Sequence, residues 1–282
     1  DMWAFTGGCH YDRNCGLYKK NCGNCKTLGR KKENDLSRSV FNRKLKSYSQ
    51  LDNLTIVALS RWIGKCAKRS SLLKNRKIIN LPNPINTELF TPIDKSIARN
   101  ILGLPSGKRI ILFSAIGSLS DPRKGAQELF KALKVLDVSK TVFMIAGSSK
   151  PKNPPKLKYP TYFIPPARDE ISMSLIYNAA DLLVVPSLQE NLANSIVESM
   201  ACGVPAIAFN IGGNGDIIDH MQNGYLAKAI VPKDLARGIQ WALKDKNLTK
   251  LSKNSRIKAM DFDSNLIADK YIKLYKEIQK KI

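Results

Sequence analysis

From residue 109 onward, short apolar runs alternate with stretches of helical period. Arg109–Ser114 (RIILFS), Thr141–Ala146 (TVFMIA), Asp181–Pro186 (DLLVVP) and Ala206–Phe209 read as strands, with a shorter one at Tyr162–Ile164. They are unbroken apolar runs, the pattern of strands buried on both faces. Between them, Gly125–Leu136, Glu170–Ala179, Asn194–Cys202 and Leu235–Lys244 carry the spacing of amphipathic helices, and a longer one at about 264–280 closes the chain. Strands alternating with helices predict an α/β fold: a parallel sheet with both faces covered.

The front of the chain is less regular. Residues 1–50 are irregular apart from a basic amphipathic stretch, Leu36–Tyr48. Asn53–Ser60 reads as a buried strand, Arg61–Leu73 as a helix and Lys77–Leu81 as another apolar run. Pro82-Asn83-Pro84 stops that run, since prolines neither continue a helix nor sit in a central strand. The expected division is a first domain at 1–84, a second at 85–262 and a helix at 263–282 packing back toward the first, with a linker at about 82–107. No window approaches the roughly 18 apolar residues of a membrane span. The opening Asp1-Met2-Trp3 lacks the basic head and apolar run of a signal peptide and lacks an initiator Met. It reads as a fragment of a cytoplasmic protein.

Charge narrows the partners. The 282 residues hold 46 Lys and Arg against 23 Asp and Glu, a formal charge of +23, and residues 1–82 alone carry 18 basic and 5 acidic side chains. Such a surface attracts phosphorylated substrates, anionic lipid or nucleic acid, or is a solvated lysine-rich exterior. No RNA-binding signature, zinc-finger spacing or basic region with heptads accompanies it, so nucleic acid is not an expected partner. The basic stretch at 36–48 is a candidate for resting on an anionic membrane, each Lys or Arg near the surface contributing about 1 kcal/mol; a solvated basic face is the alternative.

In a parallel sheet, ligands bind outside the carboxyl ends of the strands. The most informative strand end is Ser187-Leu-Gln-Glu190-Asn-Leu-Ala-Asn194-Ser195-Ile-Val-Glu198. Asn194 is a favourable N-cap, and Gly203-Val-Pro205 marks the helix end. Backbone N–H groups at Asn194 and Ser195 would attract phosphate, while Glu198, one turn in, suits paired sugar hydroxyls. Glu190 and Glu198 invite comparison with a hydrolase pair, which in a retaining enzyme stands about 5–5.5 Å apart. Eight residues of continuous helix would separate them by roughly 12 Å. The plain alternative is a capped surface helix with two solvated glutamates. A second strand end, Gly117-Ser118 through Arg123-Lys124-Gly125, offers close backbone approach and a point charge for phosphate. A third, Gly212-Gly213-Asn-Gly215, offers backbone donors.

These pieces, with Tyr177-Asn-Ala-Ala-Asp181, Asn86-Thr-Glu-Leu-Phe90 and the segment PSLQENLANSIVESMACGVPAIAF, resemble the family 4 glycosyltransferases over about residues 50–280. Those are retaining enzymes of the GT-B fold, with two Rossmann-like domains; here the N-terminal one is expected to be incomplete. The opening FTGGCHY and its cysteines are similar to a subgroup that builds exopolysaccharides, like the colanic acid glycosyltransferases. The resemblance implies that Glu198 binds the donor ribose and that Glu190, the catalytic candidate, contacts the donor sugar. It implies that Lys124 holds the diphosphate, with Gly117, Ser118, Arg123, Asn194 and Ser195 around it, and that Pro165 borders the base. Ser118 stands where the family often has an arginine. The family's histidine would sit just before Asp1, so this chain is expected to bind donor weakly and to transfer poorly or not at all. Implied partners are a UDP- or GDP-linked sugar and a saccharide or lipid-linked acceptor, with no metal for catalysis and a peripheral place at the inner face of the plasma membrane. The alternatives are a non-catalytic nucleotide-sugar-binding remnant and a sugar-nucleotide epimerase of the same fold.

Cys9, Cys15, Cys22 and Cys25 form a cluster, and Cys22-x-x-Cys25 has a zinc-ligand spacing. In a reducing compartment such a cluster points to a structural zinc ahead of disulfides. His10 could replace one thiolate, and four free thiols are the alternative. Cys66, Cys202, Trp62 and Trp241 read as packing residues, and His220 as a surface residue.

Overall fold

Among the described residues before position 36, the front of the chain forms only three single 3-10 turns. This computed structural model describes residues 1–29, 32–114, 119 and 121–280, and the chain divides into two units, Asp1–Pro82 and Asn83–Ile282. In the first unit the turns are followed by α1 (Leu36–Ser49), β1 (Thr55–Ala58), α2 (Arg61–Arg69) and β2 (Lys77–Asn80). Asp35 caps α1 by accepting from the Arg38 N–H, and Ser60 caps α2 by accepting from the Ile63 N–H. The helix expected to run to Leu73 stops at Arg69. Ser70 leaves it, and its hydroxyl donates to the Phe5 carbonyl at 2.9 Å. The strands β1 and β2 pair in parallel, Thr55 opposite Lys77. Met2, Phe5, Tyr18, Phe41, Ile63 and Leu73 supply the main bulk of this unit's core.

The second unit contains α3 (Lys95–Ile101), β3 (Arg109–Ser114), α4 (Ala126–Val135), β4 (Thr141–Ala146), β5 (Thr161–Ile164), α5 (Glu170–Ala179) and β6 (Leu182–Val185). It continues with α6 (Asn194–Ala201), β7 (Ala206–Phe209), α7 (Asn214–Ile217), β8 (Gly224–Ala227), α8 (Pro232–Ala242), α9 (Asp245–Ala259) and α10 (Ser264–Gln279). Six parallel strands stand in the order β5-β4-β3-β6-β7-β8. Side chains alternate between faces along a strand, so each apolar run feeds two cores. Ile110 and Leu112 of β3 join the core that includes α5 and α6, while Ile111 and Phe113 join the one that includes α4 and α8.

The stretch expected to be a linker holds α3. Asp94 caps it by accepting from the Ser96 and Ile97 N–H groups, and Lys95 and Arg99 anchor it to the buried Asp181 at 2.7 Å each. Arg99 Nε also donates to the Ala179 carbonyl, and the Ile110 N–H donates to Asp181. A buried carboxylate with this many donors is well compensated. Farther on, the Arg256 Nη1 lies within 3.1 Å of the Thr87, Phe90 and Ala201 carbonyls, gathering three chain segments at the C-terminal end of α6. The beginning and end of the unit are laced together as well: the Ile85 N–H donates to the Phe262 carbonyl, and the Ser264 N–H to that of Ile85. Cys202 is buried in this unit and Cys66 in the first, while His220 is exposed beside the Tyr225 ring. Among the described residues no helix is long and apolar enough to cross a membrane.

Candidate functional site

The chain leaves β3 toward β4 on one side of the sheet, and β6 lies on the other side of β3. Strand order therefore reverses at the β3/β6 boundary, where a parallel sheet opens a crevice beyond its carboxyl ends. A cavity of about 360 Å³ lies there, lined among others by Ser114 at the end of β3, Gly147 after β4, Pro166 and Ala167 after β5, and the start of α6. Lys124, Tyr177, Glu190 and Glu198 also line it.

Two close backbone approaches hold the polar groups in place. The turn carrying Lys124 ends at Gly125, whose φ is +73° and where a Cβ would lie 1.8 Å from the Pro186 carbonyl oxygen. The Leu188 N–H donates to the Arg123 carbonyl at 2.7 Å, joining the same two segments. Gly212 has φ +52°, and a Cβ there would lie 1.7 Å from the Glu190 carbonyl oxygen. The next residue's N–H donates to the Asn191 carbonyl at 2.7 Å. Only glycine permits either contact. These clamps bring the Lys124 Nζ to 3.6 Å from the Glu190 Oε2.

Glu198 lies deeper. The Tyr177 hydroxyl, brought in by α5, donates to its Oε2 at 2.7 Å. Burial raises the Glu198 pKa above the usual carboxylate value; the Tyr177 hydrogen bond opposes that, and the nearby Glu170 charge adds to it. Burial first, and then the Glu198 carboxylate, push the Tyr177 phenol well above its ordinary value, so it remains a donor.

Helix α6 starts at Asn194 itself, so its N-cap lies one residue earlier than expected. Ala193 occupies the N-cap position and no side chain caps the helix. Asn194 does not cap because its side-chain oxygen accepts from the Asn83 Nδ2 at 3.1 Å. Ala193, Asn194 and Ser195 line the cavity, so the uncapped, partially positive end of α6 borders it.

Of the candidates named from sequence, Lys124, Glu190, Asn194, Ser195 and Glu198 come together here. Arg123 does not line the cavity; Asp121 holds its guanidinium at 2.7 Å and accepts from its backbone N–H. Pro165 is exposed, and Pro166 and Ala167 border the cavity in its place. Gly117 and Ser118 lie outside the described residues. Tyr177 is the residue that sequence reasoning left without a role. The signal available was a hydroxyl-bearing aromatic on a buried helix face that also carries Ser174 and Asn178.

The four cysteines belong to the first unit, where they line a separate cavity of about 280 Å³. His10 does not line it; its Nδ1 faces the Asp1 carboxylate at 2.8 Å.

Residues 94–258 match the family model of the glycosyl transferases group 1, a span that includes every described residue lining the crevice. An N,N'-diacetylbacillosaminyl-diphospho-undecaprenol alpha-1,3-N-acetylgalactosaminyltransferase of Campylobacter jejuni is 28% identical over 164 residues, which is 56% of this chain and 43% of that protein. A UDP-Gal:alpha-D-GlcNAc-diphosphoundecaprenol alpha-1,3-galactosyltransferase of Escherichia coli is 29% identical over 198 residues, 66% of this chain and 50% of that one. The chain thus spans about half the length of the curated relatives it matches. The sucrose-phosphate synthase structure from Thermosynechococcus elongatus superposes with a TM-score of 0.71 at 25% identity, covering 86% of this chain and 62% of that one. The parallel α/β architecture is that of GT-B glycosyltransferases. With the family model matching more than half of its residues, the chain belongs to the glycosyl transferases group 1.

Proposed function

We propose that this chain transfers a sugar from a nucleoside diphosphate donor to a saccharide acceptor carried on a lipid diphosphate, with retention of configuration, in the building of a surface polysaccharide. The observation that carries the reading is the placement, in one crevice, of the Lys124–Glu190 pair, the uncapped start of α6 and the Tyr177-held Glu198. Lys124 and the first amides of α6 supply positive potential for the diphosphate. Glu198 accepts from the ribose hydroxyls, and Glu190 accepts from hydroxyls of the donor sugar. The acceptor oxygen attacks the anomeric carbon from the face the diphosphate leaves, the carbon–oxygen bond to phosphate breaks, and the leaving phosphate oxygen takes the acceptor proton.

Two relatives are named for acceptors on diphospho-undecaprenol, one of them with UDP-Gal as donor. Those names support a lipid-linked acceptor and a uridine donor for this chain. The basic α1 suits the anionic membrane surface where such an acceptor resides. Calorimetric titration with UDP, GDP and ADP on the wild type and on Glu198→Ala tests the donor site. Binding of one nucleotide, weakened by the substitution, is expected. Equal binding by the variant would remove Glu198 from the donor site, and no binding of any nucleotide would favour a remnant without transfer activity.

A further inference from the structure

We propose that Cys9, Cys15, Cys22 and Cys25 bind one zinc ion as four thiolates, and that the ion fixes the irregular front segment. The four residues come from a stretch of 17 positions and line a single cavity of about 280 Å³. The Cys22-x-x-Cys25 turn bends through two residues of positive φ, Gly23 at 148° and Asn24 at 46°. The Gly7 N–H already donates to the Cys22 Sγ at 3.2 Å, the kind of hydrogen bond that stabilises a thiolate on a metal.

A second observation concerns charge. A zinc ion with four thiolates carries two net negative charges, and at a site where Cys22 is buried and Cys9 and Cys25 are half-buried, cations nearby favour it. Helix α1 supplies these. Lys44 is buried, and its ammonium donates to the Thr6 carbonyl at 3.1 Å and to that of Trp3. Arg38 donates through Nε to the carbonyl of Cys22 itself. The cysteine loops are therefore held against α1 by the Lys44 ammonium, which faces neutral carbonyls, and by the Arg38 guanidinium, which Glu33 shares at 3.1 Å.

Tetrahedral zinc with Zn–S bonds of about 2.3 Å places sulfurs roughly 3.8 Å apart. The thiols ring the cavity more widely than that: among the described residues, no group of three His, Cys, Asp or Glu side chains is gathered tightly enough to hold an ion. Binding therefore draws the sulfurs inward. Among the described residues the segment before α1 holds only single 3-10 turns, so no α-helix or strand pairing has to break for it to follow. Each thiol that becomes a ligand gives up its proton to solvent, and no oxidant or reductant is needed.

The test is elemental analysis of the whole chain, purified in reducing buffer without chelator, followed by removal of metal and titration with Co²⁺. Expected are one zinc per chain and, on titration, the sulfur-to-cobalt charge-transfer band and intense visible bands of tetrahedral thiolate coordination. Cys15→Ser serves as the ligand variant because Cys15 is exposed, so its loss leaves the core intact. It should lose stoichiometric zinc and weaken the charge-transfer band, while His10→Ala should leave both unchanged. Substoichiometric zinc together with no cobalt–thiolate band would overturn the proposal. So would iron in place of zinc, or two disulfides that persist in reducing buffer.

Discussion

Replacing Tyr177 with Phe removes one oxygen and leaves the ring in place. The lost group donates a 2.7 Å hydrogen bond to a carboxylate, and Tyr177 is 1% exposed, so water has little access to replace it from the protein side. A hydrogen bond to a charged partner is worth about 1.5–3 kcal/mol. If that bond aims Glu198 at the ribose, its loss weakens nucleotide binding by roughly 10- to 150-fold, at 1.4 kcal/mol per tenfold. The pH dependence adds a second signature. Burial already raises Glu198, and the Tyr177 hydrogen bond is what opposes the rise. Binding that needs the ionised carboxylate should fall as pH drops through the Glu198 pKa, and in Tyr177→Phe the fall should begin at a higher pH. For stability the sign is reversed. A carboxyl whose folded pKa is raised favours folding at low pH and loses that contribution as pH rises through the folded value. The assay is calorimetric titration with the nucleotide that the wild type binds, repeated from pH 5 to 8. Unchanged affinity and an unshifted pH profile in a folded Tyr177→Phe variant would refute the orienting role.

Further outcomes follow from the same geometry. Lys124→Ala should weaken binding of a nucleoside diphosphate about tenfold or more, the scale of one charge-assisted contact. It should leave binding of the bare nucleoside unchanged, and equal weakening of both would contradict the phosphate role. Gly212→Ala forces a Cβ to within 1.7 Å of the Glu190 carbonyl at a φ of +52°. Its left-handed backbone alone costs about 1–2 kcal/mol, so the variant should melt several degrees lower and lose nucleotide affinity, and a wild-type melting curve would rule out the clamp. Burial by itself would raise Asp181, but the Lys95 and Arg99 ion pairs and the Ile110 N–H outweigh it and hold the carboxyl below the usual range. Its contribution is therefore present above the ordinary carboxylate pKa and lost as pH falls through the lower folded value. Asp181→Asn should cost about 3–5 kcal/mol at neutral pH, because Arg99 is left buried without its counter-charge. Urea midpoints at pH 7 and pH 3 should show the gap between variant and wild type narrowing in acid.

The second unit was legible wherever apolar runs were long. Strands β3, β4 and β7 match their expected bounds to the residue because RIILFS, TVFMIA and AIAF have no polar interruption. The last strand, β8, escaped because GYLA is four residues long and begins with glycine. Helix α3 was hidden between prolines, and tertiary ties to Asp181 help hold it, which no local pattern reports. Glu190 and Glu198, singled out by spacing and resemblance, and Lys124, singled out by charge, line one cavity. The same reasoning placed Arg123 beside the diphosphate, whereas Asp121 two residues earlier captures it. Tyr177 and Glu198 are 21 positions apart on different helices, a separation that helical periodicity cannot bridge.

The three carbonyls gathered by Arg256 bear on how this chain can be cut and recombined. Residues 87, 90 and 201 depend on a cation from α9, near the end of the family-matched span. A hybrid that borrows the second unit can be joined at Pro82–Asn83, where the two units divide. A truncation before residue 256 would instead leave the far end of α6 without its cation while the near end still borders the crevice. In practical terms, the portable module runs from Asn83 through at least α9, with the grafting junction at Pro82–Asn83.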